Sequence, residues 1–213
     1  MPHRRFLRWI KRMFQLRKNV RVGIYGPPNS GKTSLANKII VDFVGGAGWK
    51  VSDIRHETRR IQQMEEVVLK SPSGKKLEID LFDMPGISTK KGLHTDAFEE
   101  FISSGIDEKE ARKRLMEATN GIASAVRFMR MIDSAIVVLD STESPYTKVN
   151  SLLLGVLKSN NVKVIVAANK IDLPHSDPGR VKKALQKMPV VPISCKEGTN
   201  LDQLYEAIAE HLR

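Results

Sequence analysis

The chain is poor in thiols. Among 213 residues only Cys195 is a cysteine, which excludes an internal disulfide and any metal site built from several cysteines, and fits a reducing cytoplasm. Long apolar runs are also missing. The longest, such as "AIVVL" at 135–139, are far too short to cross a bilayer, so no transmembrane helix is expected. The N-terminus is basic and partly apolar, but Arg and Lys interrupt it too often for a signal-peptide core, which argues against secretion. Carboxylates are absent from the first 41 residues, which hold 10 of the 35 Lys and Arg; the remainder balances 25 basic against 24 acidic residues. Nearly all of the net charge of +11 therefore sits in the N-terminal fifth, as a basic appendage on a neutral domain.

What is present suits one globular domain with that appendage: 41% apolar and 28% charged residues over a length that can bury a proper core. Residues 4–18 place Phe6, Leu7, Ile10, Met13 and Phe14 at helical spacings, with Arg4, Arg8, Lys11, Arg12 and Lys18 mostly on the other side. Residues 1–19 thus read as a basic amphipathic helix, and 20–213 as the domain. Strand patterns recur at 20–25, 61–70, 76–82, 134–140, 163–168 and 190–194, with helices at 34–44 and from near Pro145, Gly179 and Asn200. This alternation predicts an α/β fold, a mostly parallel six-stranded sheet with helices on both faces. The segment 87–132 exceeds a minimal alternation. Its stripe of Ala111, Leu115, Ala118, Ile122, Val126 and Met129, with Asp107 and Glu110 as a capping box, reads as a helical insertion. It serves either as a packed lid or as a partner-binding or nucleotide-responsive element.

The chemistry lies in the loops. "GPPNSGKT" at 26–33 fits the phosphate-binding pattern G-x-x-x-x-G-K-[ST] between a strand and a helix. Gly26, Pro27, Pro28, Asn29, Ser30 and Gly31 form the cradle, Lys32 reaches the terminal phosphates, the Thr33 hydroxyl faces magnesium, and Ser34 follows in the first helical turn. "DMPG" at 83–86 closes a strand. Asp83 suits a magnesium carboxylate, and Gly86 can offer its N–H to a γ-phosphate beside an X-Pro-Gly hinge. "NKID" at 169–172 selects the base. A carboxylate at Asp172 can accept two hydrogen bonds that guanine offers and adenine does not. Asn169 ties this loop to the phosphate loop, the Lys170 stem lies over the base, and "SCK" (Ser194, Cys195, Lys196) brings backbone N–H groups near the guanine oxygen.

In these motifs the chain resembles the translation-factor-like class of small GTPases, and within it the Era-like group, over roughly residues 20–213. The resemblance implies GTP and GDP binding with magnesium, slow hydrolysis, and two loops that respond to the γ-phosphate. Thr58 in "RHETRR" is the candidate to complete the magnesium shell, although Glu57 stands where related sequences often show a first threonine. Ile87 resembles the hydrophobic residue that replaces a water-orienting glutamine in this group. Asn29 resembles the phosphate-loop asparagine that binds potassium in cation-activated relatives. Lys32, Asn29, Gly86 and Thr58 are thus the catalytic candidates, with Arg59, Arg60, His56 and His94 as weaker ones. Era proteins carry an RNA-binding KH domain after the GTPase core, and this chain is expected to lack it. Residues 1–21, with eight Lys or Arg among Phe6, Trp9 and Phe14, could meet RNA or a ribosome, an anionic membrane surface, or the domain itself. A protein effector, a GTP-dependent dimer, and a nucleotide-binding scaffold with negligible turnover stay open, as does peripheral membrane attachment of a cytoplasmic protein.

Overall fold

A computed structural model describes residues 19–45, 62–84, 86, 107 and 128–212 of the chain. The elements are β1 (Val20–Tyr25), α1 (Lys32–Val44), β2 (Gln62–Lys70), β3 (Lys76–Asp83), β4 (Ser134–Asp140), α2 (Lys148–Ser159), β5 (Lys163–Asn169), α3 (Pro178–Ala184), β6 (Val190–Pro192) and α4 (Leu201–His211). The expected six-stranded sheet forms in the order β2-β3-β1-β4-β5-β6. All neighbours pair parallel except β2, which joins β3 antiparallel at one edge.

Period-two side chains divide the core between the two faces. Along β4, Ile136 and Val138 join Leu35, Ile39, Leu204 and Ile208 beneath α1 and α4. The alternate residues Ala135, Val137 and Leu139 pack with Leu153, Leu154 and Leu157 of α2 and Val181 of α3. Each fully buried Leu contributes about 1.5–3 kcal/mol relative to exposure, so the faces are held by many modest terms. Phe128, Met129 and Ile132 complete the second face, placing the end of the 87–132 segment in the core; the rest of that segment, apart from Asp107, lies outside the described residues. The N-terminal helix expected over 1–19 also lies outside them, save Asn19.

Local chemistry sets the ends. Thr147 caps α2 by accepting a hydrogen bond from the Asn150 N–H at 3.1 Å, which starts this helix at Lys148, three residues after Pro145. The last strand is shorter than the pattern 190–194 predicts. Pro192 has no N–H to extend a ladder, and Ser194 turns back to bridge Thr199. In β2 the register slips between Met64 and Val67 where Glu66 adopts φ +58°, a bulge that disrupts an exposed edge.

Candidate functional site

Because β1, β3, β4, β5 and β6 run parallel, the loops at their C-terminal ends gather along one edge of the sheet, where such folds bind ligands. The phosphate-type loop leaves β1 there. A methyl group at Gly26 would meet the Val138 carbonyl oxygen at 2.2 Å, and one at Gly31 would meet Asn169 Nδ2 at 2.2 Å. Both positions also need positive φ, so the pattern's glycines are demanded by close approach and by conformation together. Asn29 sits in the left-handed region and is exposed; Pro27 and Pro28 precede it, and Ser30, which follows, is buried.

Lys32 is buried and its Nζ donates to the Pro27 carbonyl at 2.7 Å. Gly86 lies against the same amine, since a methyl group there would come within 3.2 Å of Lys32 Nζ and 3.0 Å of Pro28 Cα. The Thr33 hydroxyl donates to Asp83 Oδ2 at 2.7 Å, across two elements fifty residues apart. Asp83 is 7% exposed, and its other oxygen, Oδ1, is buried without a partner. Burial raises its carboxyl above the ordinary value, opposed by the Thr33 hydrogen bond and the Lys32 charge. An unsatisfied carboxylate oxygen beside a hydroxyl is a hard-oxygen set that fits magnesium. Ser34 is exposed on the first turn of α1.

The second cluster follows β5. Asn169 is buried; its Nδ2 donates to the Ser30 carbonyl at 2.9 Å and its Oδ1 accepts from the Cys195 N–H at 3.0 Å, clasping three loops. That contact holds the Cys195 amide beside Asn169. Asp172 Oδ1 accepts from the Ser194 hydroxyl at 2.7 Å, and this bond holds its carboxyl below the usual range, so it is an anion at neutral pH. Glu197 N–H donates to the same serine oxygen at 3.0 Å. Burial pushes the Cys195 thiol up to about 12, which makes it a neutral packing group. Lys196 turns outward and pairs with Glu197 at 3.4 Å.

One participant was not singled out from sequence. Asp140, at the end of β4, accepts from Lys170 Nζ and from the Thr142 N–H and hydroxyl. It holds the Lys170 head group while Lys170 itself takes φ +69°. Its signal was available, since "SAIVVLD" ends a buried strand in a carboxylate as "LEIDLFD" does. Thr58, Ile87, Arg59, Arg60, His56 and His94 lie outside the described residues.

With these contacts in place, comparison with known proteins is decisive. Residues 21–170 match the family described as 50S ribosome-binding GTPase. The chain belongs to this family. It is 30% identical over 199 residues to GTPase Era of Pseudomonas aeruginosa, covering 90% of this chain and 53% of that protein. The chain thus spans about half the length of the curated relatives it matches. Among solved structures, the G domain of the T. maritima FeoB iron transporter is 28% identical with a TM-score of 0.57, covering 91% of this chain and 99% of that one. A structure of Era with MgGDPNP and a 16S ribosomal RNA fragment shares the fold at 24% identity and a TM-score of 0.59, over 92% of this chain and 57% of that one. The protein is therefore a P-loop GTPase of the Era and FeoB type, and no described helix is long and apolar enough to cross a membrane.

Proposed function

We propose that this GTPase binds guanine nucleotide with magnesium, hydrolyses GTP to GDP and phosphate, and works as a cytoplasmic switch on RNA or the ribosome. The observation that carries the nucleotide reading is the Asn169 clasp: one side chain couples the phosphate loop, through Ser30, to the base loop, through Cys195. A ligand must then satisfy both ends together. Asp172, kept ionised by Ser194, supplies the acceptor that distinguishes guanine from adenine. Gly26 to Ser34 would receive the phosphates, with Lys32 neutralising the charge that develops as the terminal phosphoryl departs. Thr33, Asp83 and Thr58 would hold magnesium, which when bound offsets charge on the phosphate oxygens. Gly86 and Thr58 would sense the γ-phosphate.

A hydrocarbon at Ile87 cannot orient the attacking water, so charge stabilisation must come from elsewhere. Asn29, exposed at the tip of the phosphate loop, is the side chain available to a monovalent cation there. Intrinsic turnover is then slow and potassium accelerates it. Single-turnover hydrolysis in matched potassium and sodium salts tests this; equal rates would remove the cation from the mechanism. The base assignment is tested by titrating fluorescent GDP and ADP against the native chain and Asp172→Asn. Unchanged GDP affinity in the variant would refute it.

RNA or the ribosome as target is supported by the family description, by the RNA bound to Era, and by the eight Lys and Arg of residues 1–21. Co-sedimentation of the GTP-loaded chain, with and without residues 1–18, against ribosomes and anionic vesicles decides between RNA and membrane. A protein effector or GTP-dependent dimer would be read in the same fractions.

A further inference from the structure

The near-neutral balance beyond residue 41 is a cancellation. Residues 144–196 hold nine Lys or Arg against two carboxylates, Asp172 and Asp177, while the remaining 42–143 and 197–213 hold 16 against 22. The fold then sorts this basic block in space. Asp172 follows β5 at the nucleotide edge, and Asp177 caps the start of α3, bonded to Ser141 just past β4. Both acids are therefore at the edge where strands end.

Five of the lysines stand at the opposite edge. Lys158 lies in the last turn of α2, Lys163 opens β5, Lys182 and Lys183 lie in the last turn of α3, and Lys187 precedes β6. Pairing of Val166 with Val190 brings the turn that carries Lys187 beside the early part of β5, which Lys163 opens. All five are exposed, and none has a carboxylate partner among the described residues. The acids at this edge are engaged elsewhere: Asp133 by Arg21 at 2.8 Å, Asp80 by Asn19 at 3.0 Å, and Glu210, in the last turn of α4, by Lys75 at 2.6 Å. β1 begins here too: Val22 pairs with Ser134 and Ser134 with Lys163, so Val22 and Lys163 are two strands, about 10 Å, apart. The seven Lys and Arg of residues 1–18 are tethered to the same edge through Asn19.

We propose that this edge is a phosphate-binding surface for duplex RNA, facing away from the nucleotide. A bilayer would require a cluster of apolar groups to insert beside the charges, yet among the described residues the large apolar side chains exposed toward this edge stand singly on separate elements, Val41 in the last turn of α1, Val68 in β2 and Met131 before β4. Single-stranded RNA would require aromatic platforms, and the exposed large aromatic among the described residues, Tyr146, lies at the nucleotide edge. Exposed lysines not paired with acids and without aromatic neighbours suit a regular phosphate backbone read by charge and shape. The surface rests on the proposed RNA role but locates it in the folded domain as well as in residues 1–21.

The test uses the full chain and a variant carrying Lys158→Gln, Lys182→Gln, Lys183→Gln and Lys187→Gln. Affinity for a labelled RNA duplex of about 20 base pairs is measured across a salt series, with GDP affinity read in the same samples. The variant should bind the duplex at least about tenfold more weakly at low salt, with a salt slope shallower by about 3.6, since four phosphate contacts are lost. GDP affinity should be unchanged, and Arg at the same four positions should retain duplex binding. If the native chain binds the duplex and the variant matches it in affinity and slope, the surface is refuted while the RNA role stands. No duplex binding by the native chain would refute the surface, and failure to co-sediment with ribosomes as well would refute the RNA role. A lysine-dependent loss seen with phosphatidylserine vesicles and not with the duplex would overturn the proposal in favour of a membrane surface.

Discussion

At the edge where the strands end, polar groups are buried and left short of partners; where the strands begin, charges are exposed to water. The five buried side-chain atoms without a partner among the described residues are Tyr25 Oη, Ser30 Oγ, Asp83 Oδ1, Ser141 Oγ and Asn150 Oδ1. Four of them belong to the end of a strand, the loop after it, or the first turn of a following helix; the Tyr25 ring instead lies back over Gly23 beside Ile132. Buried unsatisfied groups cost about 1–3 kcal/mol each, so their gathering at one edge marks where a ligand is expected to complete the structure. The lysine edge costs the fold little, because its charges remain in water. One edge is thus organised by close approach and the other by long-range charge.

The largest contrast should come from two glycines. Gly26→Ala drives a methyl into the Val138 carbonyl and should weaken GDP binding by at least about 100-fold, about 2.7 kcal/mol. Gly74 has positive φ but nothing within 4 Å of an added methyl, in the turn joining β2 and β3 away from the site. Gly74→Ala should cost about 1–2 kcal/mol of stability and leave GDP affinity unchanged, as urea denaturation and nucleotide titration would show. Equal effects on GDP binding would break the contrast.

Asn169→Ala comes next. It strands the Ser30 carbonyl and the Cys195 N–H, and should destabilise the protein by about 2–5 kcal/mol with a parallel loss of nucleotide affinity. A variant with native urea stability would show that the clasp is not a structural necessity.

Asp83→Asn should act in the opposite sense. Burial raises the folded carboxyl above its ordinary 3.8, so the folded state holds a proton that the unfolded chain gives up sooner. Stability of the nucleotide-free protein should therefore fall as pH rises above 3.8, and removing the charge should raise Tm near pH 7 by roughly 2–4 °C while abolishing magnesium-dependent GDP binding. A lowered Tm would contradict the assignment of Asp83 as a group strained for its ligand.

The smallest effect belongs to the β2–β3 turn, where Glu206 of α4 accepts from Ser73 and Lys75 and its carboxyl is pushed down to about 2. Its contribution is complete above 4.5 and lost as pH falls toward 2. Glu206→Gln should flatten this acid limb slightly in a pH series of thermal melts, leaving neutral Tm and GDP binding almost unchanged. A marked neutral-pH loss would mean that the contact is more than a solvent-screened surface pair.

Much of this was legible in the chain itself. Short continuous apolar runs rich in β-branched residues marked β4 and β5, and the glycines of "GPPNSGKT" marked the phosphate loop, because backbone demands of this kind act over a few neighbouring residues. The α/β class and the order of the motifs follow from that local chemistry. Three features required the fold. Asp140 became a partner of Lys170 only when adjacent strands brought their ends together across thirty residues. The Cys195 amide proved to be held by Asn169, because two loops share one buried side chain. The distribution of charge was hidden by its own cancellation. Composition adds charges regardless of position, whereas parallel strands returned five lysines to one edge and sent the two acids of the same block to the other. Periodicity and backbone sterics act locally and can be read along the chain; pairing across distance depends on strand order and direction, which only the assembled sheet sets.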